Sequence, residues 1–158
     1  VVEDNTHMRQ LLRELLIAAG IRDVSEAGNG RAAVTLLRER KCDLVLSDLA
    51  MEPMDGIAFT RHVRTHESSP NPFLPIIMIT GHTEKHRVEE ARDAGVTAFL
   101  AKPITAASLY ARIAEILERP RPFVRTDTYF GPDRRRKTAD AYTGPWRRQD
   151  DHKDIGVQ

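Results

Sequence analysis

Residues 44–56 read Leu44-Val45-Leu46-Ser47-Asp48-Leu49-Ala50-Met51-Glu52-Pro53-Met54-Asp55-Gly56. An apolar run leads straight into a serine and an aspartate. A turn-rich stretch follows and closes at Asp55-Gly56, where a helical pattern carrying Ile57, Phe59 and Val63 begins. A short, continuous apolar run bounded by turn residues is consistent with a fully buried strand. Such strands belong to parallel sheets covered on both faces.

The same unit recurs on either side. Upstream, Val1-Val2 ends a first strand, and Met8, Leu11, Leu12, Leu15, Ala18 and Ala19 recur at helical spacing until Gly20. Val24 to Ala27 reads as a second strand, Gly28-Asn29-Gly30 as a turn, and Ala32, Ala33, Leu36 and Leu37 as a helix ending near Arg40. Downstream, Pro70, Pro72 and Pro75 hold an extended connection into Ile76-Ile77-Met78-Ile79, the most apolar strand. A helix through Val88, Ala91 and Ala94 stops at Gly95. Ala98-Phe99-Leu100 is the fifth strand, and Leu109, Ile113, Ile116 and Leu117 mark the fifth helix. Five strands alternating with five helices predict an α/β fold, a doubly wound five-stranded parallel sheet with right-handed crossovers. The first strand is shorter than the usual 5–6 residues or so, and the chain opens on Val1 rather than Met, so residues upstream of Val1 are expected.

The 158 residues suit one domain with an appendage. With 30% charged and 41% hydrophobic residues, fibrous and wholly disordered classes are excluded. No apolar run is long enough for a membrane span, and Glu3-Asp4 follows Val1-Val2 at once, so neither a span nor a signal peptide is expected. The single Cys42 cannot form an internal disulfide, which points to a reducing, cytoplasmic setting. The net charge of +1 conceals a split: residues 1–118 hold 14 basic and 17 acidic side chains, residues 119–158 hold 10 and 6. An acidic body with a basic tail suggests two different jobs.

In open α/β sheets, ligands lie outside the carboxyl ends of the strands. Those positions hold Glu3 and Asp4, Asp48, Thr80 and Lys102. Two like charges 4 Å apart cost about 4 kcal/mol at an effective dielectric of 20, so three carboxylates on one edge call for a cation. Hard oxygen donors favour Mg²⁺. A carboxylate beside such a cation can act as a nucleophile toward phosphorus. Asp48, at the end of the central strand, is the candidate acceptor. Asp4 would hold the metal directly and Glu3 directly or through water. Thr80 would donate a hydroxyl and Lys102 would supply positive charge.

These motifs, Val1-Val2-Glu3-Asp4-Asn5, the 44–56 stretch, Ile76-Ile77-Met78-Ile79-Thr80-Gly81 and Phe99-Leu100-Ala101-Lys102-Pro103, resemble the receiver domain of two-component response regulators over about residues 1–118. The resemblance implies a flavodoxin-like strand order of 2-1-3-4-5 and a phosphoacceptor at Asp48. It implies Mg²⁺ ligands at Asp4, Asp48 and the Ala50 carbonyl, catalytic partners at Thr80 and Lys102, and a switch made of Thr80 and Phe99. It also implies a cis Lys102–Pro103 bond and a histidine kinase or histidine phosphotransfer protein as donor. Phe99 taken alone reads equally well as core. Where the family commonly places Pro four residues after the acceptor, this chain has Glu52, with Pro53 next. Ala50 and His82 stand at positions that in the family influence the lifetime of the phosphorylated form. His82 and His86 lack a third metal ligand and read as surface residues, with His82 near the site mouth. Met51 and Met54 read as loop packing. The acidic pair typical of receivers that dimerise on DNA is replaced by Thr97-Ala98, which lowers the odds of that dimer while leaving a homodimer open.

From Arg119 onward apolar periodicity is lost and no output domain is apparent. A near-repeat with a period of 13 residues runs Tyr129-Phe130-Gly131-Pro132-Asp133-Arg134-Arg135, then Tyr142-Thr143-Gly144-Pro145-Trp146-Arg147-Arg148. Three readings stand: a solvated extension; a docking arm in which Tyr129, Arg134, Arg135, Trp146, Arg147 and Arg148 grip a partner or phosphates; or packing of Phe123, Tyr129, Phe130 and Trp146 on the body or on a second copy. The functional expectation is a phosphoacceptor regulator that catalyses its own phosphorylation and dephosphorylation and acts on a downstream protein partner. The alternative is a nucleic-acid-binding regulator acting through the basic tail. A third option is a receiver-like fold that uses no phosphorylation.

Overall fold

The computed structural model describes residues 1–81, 85–134 and 155–156. Its helices are α1 (Thr6–Ala18), α2 (Gly30–Glu39), α3 (Gly56–Thr65), α4 (Lys85–Asp93) and α5 (Ala106–Glu118). Its strands are β1 (Val45–Asp48), β2 (Ile76–Thr80), β3 (Ala98–Ala101), β4 (Phe123–Arg125), β5 (Phe130–Pro132) and β6 (Ile155–Gly156).

Short polar side chains start the helices. Asn5, Asn29 and Asp55 each accept a hydrogen bond from the backbone N–H three residues on, at 3.0, 3.0 and 2.8 Å. Thr105 and Ser108 close a reciprocal capping box at the head of α5, with both bonds 3.1 Å long. The chain leaves α1 and α4 through Gly20 and Gly95, whose φ angles of +87° and +96° favour glycine.

β1, β2 and β3 form a parallel sheet in that order, with Val45 opposite Ile76 and Ile77 opposite Ala98. Val2 bridges in parallel to Ala27 on one side and Ser47 on the other. The lateral order is therefore Ala27, Val2, β1, β2, β3, which is the expected 2-1-3-4-5. The first two expected strands are each reduced to a bridge. The backbone of the Val24–Ala27 segment bonds with Val1–Glu3, through Val1 N to Ser25 O (2.8 Å), Ala27 N to Val1 O (2.9 Å) and Glu3 N to Ala27 O (3.0 Å). With so few backbone partners it cannot extend a ladder.

All of β2 is buried, and its side chains divide between the faces. Ile76 joins Val45, Phe59, Val63 and Leu74 toward α2 and α3. Ile77 and Ile79 join Leu12, Leu16, Leu109 and Ile113 of α1 and α5. Met78 packs with Ile57, Ala91 and Val96 between α3 and α4. Covering both faces is what made the central strands read as continuous apolar runs.

The first part of the tail is not the solvated extension that its composition allowed. β4 and β5 form an antiparallel hairpin, with β6 on the other edge of β4. Phe123 and Phe130 pack against Phe73, with ring centroids 5.2 and 5.3 Å away, and lie 5.7 Å from each other. The packing reading of the tail therefore holds for Phe123, Tyr129 and Phe130. Trp146 lies outside the described residues. Alternation fails as a signal here because Gly131-Pro132 supplies almost no apolar side chain, while Phe73 of the body supplies the missing third ring.

Candidate functional site

The carboxyl ends of the strands are tied into one edge by backbone bonds. Asp48 N donates to Val2 O (2.8 Å), Leu49 N to Ile79 O (3.1 Å) and Lys102 N to Thr80 O (2.9 Å). Gly56 then draws the start of α3 against the end of β1. A Cβ at this position would stand 2.3 Å from Asp48 O and 2.7 Å from Met78 Sδ, so glycine is the residue that fits the Asp55-Gly56 turn.

On that edge Glu3, Asp48 and Thr80 are buried, at 1, 5 and 6% exposure. Lys102 Nζ lies 2.6 Å from Asp48 Oδ1 and 3.6 Å from Glu3 Oε2. The second Asp48 oxygen accepts from Ala50 N at 3.0 Å. Glu3 Oε1 accepts from Asn5 N at 3.1 Å, while its Oε2 is buried with no hydrogen-bond partner. The Asp4 side chain is exposed. Two carboxylates thus converge on Lys102, and the third faces solvent beside them. Among the described residues no three His, Cys, Asp or Glu side chains gather around one point.

Burial pushes the Glu3 carboxyl above its ordinary pKa, and Asp48 adds to this against the opposing Asn5 N–H and Lys102. For Lys102 burial alone would favour the neutral amine. The hydrogen bond and charge of Asp48, with Glu3, outweigh it and raise the pKa, so the ammonium is kept.

These groups fit a hard divalent cation. The donors are all oxygens, from Glu3, Asp4, Asp48 and the backbone of Ala50, an exposed residue, and Glu3 Oε2 is buried and accepts no hydrogen bond. Phe99 is half-buried beside Met78, Ala91 and Val96, which accommodates both of its readings. The Lys102–Pro103 peptide is cis, as is Glu52–Pro53. Glu52 is exposed, Met51 is buried and Met54 is half-buried against the core.

Residues 1–114 match the response regulator receiver domain family. The chain belongs to that family. It is 34% identical to the chemotaxis protein CheY-3 of Vibrio cholerae over 119 residues, 75% of this chain and 90% of that one. Among solved structures, Vibrio cholerae CheY4 superposes with a TM-score of 0.65 at 30% identity, covering 73% of this chain and 93% of that one. The receiver domain of the sensor histidine kinase PA1611 of Pseudomonas aeruginosa, solved with a magnesium ion coordinated in its active-site cleft, superposes with a TM-score of 0.64 at 29% identity, covering 72% and 91%. The nucleic-acid alternative gains nothing from these likenesses. No helix among the described residues is long and apolar enough to cross a membrane.

Several contributors went unread in the sequence. Arg9 Nη1 donates to the Glu3 carbonyl at 2.7 Å and so steadies the strand end. Arg87 of α4 pairs with Asp55, the residue that caps α3. Arginines on helices read as solvated faces, and nothing in their spacing sets these apart. In the tail, Tyr129 and Arg134 are engaged within the chain. Tyr129 Oη donates to Pro132 O at 2.8 Å, and Arg134 stacks 3.7 Å over the Tyr129 ring while meeting Asp93 at 2.8 Å. Arg135, Trp146, Arg147 and Arg148, and likewise His82, lie outside the described residues.

Proposed function

We propose that this chain is a phosphoacceptor: Asp48 takes a phosphoryl group from a histidine kinase or histidine phosphotransfer protein. The observation that carries the reading is the Asp48–Lys102 contact at 2.6 Å beside Glu3 Oε2, which is buried, lies 3.6 Å from the same ammonium and accepts no hydrogen bond. Glu3, Asp4, Asp48 and the Ala50 carbonyl would hold Mg²⁺, which supplies charge neutralisation for the incoming phosphoryl oxygens. An Asp48 oxygen forms the new bond to phosphorus as the bond from phosphorus to the donor imidazole breaks, and the imidazole leaves with the electron pair. Lys102, kept charged by its neighbours, pairs with phosphoryl oxygen. Thr80, one residue beyond Ile79 on the same edge, donates its hydroxyl to another. Little covalent chemistry is asked of the protein. Positioning and fixed charge do most of it.

Residues 1–118 form the receiver in this reading and residues 119–158 a C-terminal extension. Phosphorylation biases two conformations through Thr80 and Phe99 and changes the α4–β3–α5 face that a downstream protein reads. Moving such an equilibrium from 1:99 to 99:1 takes about 5.5 kcal/mol of differential stabilisation. The test is incubation with Mg²⁺ and acetyl phosphate, followed by intact-mass and peptide analysis. A hydroxylamine- and alkali-labile adduct on Asp48 that requires Mg²⁺ is expected. Absence of an adduct, or an adduct elsewhere, overturns the proposal in favour of a receiver-like fold that works without phosphorylation.

A further inference from the structure

Away from the Asp48 edge, a cavity of about 550 Å³ opens between the β4–β5 hairpin, the start of β3 and the end of α5. This lies within the size range of small-molecule sites. Five arginines line it, Arg92, Arg112, Arg119, Arg121 and Arg134, against a single acid, Glu115. Arg112 pairs with Glu115, and Arg134 with Asp93. Even so, the Nε–H of each is buried with no hydrogen-bond partner. Arg92, Arg119 and Arg121 are exposed and make no ion pair among the described residues. Buried donors without acceptors are uncommon in folded proteins, and here two of them belong to side chains that line one cavity.

Aromatic side chains also line the cavity. Phe99, Phe123 and Tyr129 contribute rings, and Arg134 already stacks on Tyr129. Guanidinium forks match phosphate oxygens in pairs, and more forks are present than one phosphate can use. Ring faces and guanidinium planes accept a flat base by stacking.

We infer that this cavity binds a nucleotide carrying two or more phosphates, with the arginines on the phosphates and the base among the rings. The body supplies Arg92, Arg112 and Phe99, while the segment after α5 supplies Arg119, Arg121, Phe123, Tyr129 and Arg134. The site therefore exists only when the hairpin is docked. It goes beyond the phosphoacceptor reading and does not rest on it.

Calorimetry on the full chain tests this with ADP, GTP and a dinucleotide, using inorganic phosphate and adenosine as references. At least one nucleotide is expected to bind about tenfold tighter, or more, than either reference. The double variant Arg119→Gln/Arg121→Gln alters two exposed side chains and is expected to keep its thermal melt while losing about tenfold or more in affinity. Asp48→Asn is expected to bind nucleotide as the wild type does. If no nucleotide binds more tightly than inorganic phosphate, or the folded double variant binds like the wild type, the inference is overturned.

Discussion

At the carboxyl end of the sheet, Lys102 is held by two carboxylates, 2.6 Å from Asp48 and 3.6 Å from Glu3. At the amino end, Arg64 is held by backbone carbonyls. Its Nε donates to Gly95 O at 3.0 Å and its Nη1 to Pro72 O at 2.8 Å, while its guanidinium lies 5.1 Å over the Phe123 ring. The electrostatic outcomes are opposite. Acidic neighbours raise the Lys102 pKa despite burial. Burial lowers that of Arg64 to about 10, and only Tyr129 opposes it. A cation neutralised by carboxylates responds when charge is added or removed. One sequestered among carbonyls and rings responds mainly to loss of packing. The sheet thus has a charge-sensitive end and a packing-sensitive end.

Substitutions at one end should leave the other intact. Asp48→Asn is expected to abolish the Mg²⁺-dependent adduct completely while the hairpin stays docked, which hydrogen exchange of residues 123–132 would report. Phe130→Ala removes one of three mutually packed rings. A loss at the lower edge of about 3–5 kcal/mol is expected, read by chemical denaturation, with adduct formation retained. A parallel loss of phosphorylation would show that the two ends are coupled. Lys102→Met takes away one fixed charge, and adduct formation is expected to slow about a hundredfold in stopped-flow measurements with acetyl phosphate. Arg134→Gln breaks a pair with an Asp93 side chain that is 58% exposed, so a double-mutant cycle with Asp93→Asn should give no more than about 1 kcal/mol.

The smallest effect concerns pH at the packing-sensitive end. His62 stacks on His66 with ring centroids 4.1 Å apart. Burial, then His66 and Arg38, hold its pKa below the ordinary value. The unfolded chain therefore takes up this proton first as pH falls. The stability tied to neutral His62 is present above about pH 6.5 and is lost progressively as pH falls through the lower, folded value. A melting-temperature series from pH 7.5 to 5 should show a shallow decline that is weaker in His62→Gln. An unchanged slope in the variant would remove His62 as its source.

Much of the receiver could be read from the chain because its signals are local. Apolar runs such as Ile76–Ile79 and the helix start at Asp55-Gly56 depend on residues only a few positions apart. The acids, threonine and lysine of the site were found because a parallel sheet delivers whatever follows each strand to one edge. The pairing of Lys102 with both Glu3 and Asp48 was less visible, since it depends on side-chain reach across three strands.

The alternation of strands and helices, the helix starts and the identity of the strand-end residues were determined by the sequence itself, through periodicity and short-range hydrogen bonding. Tertiary structure alone decided that the tail folds back. Phe73 stands some fifty residues before Phe123 and Phe130, and only the fold brings the three rings together. It also decided which arginines matter, because a guanidinium on a helix looks the same in sequence whether it stands exposed, as Arg31 does, or, like Arg64, meets two carbonyls and a ring.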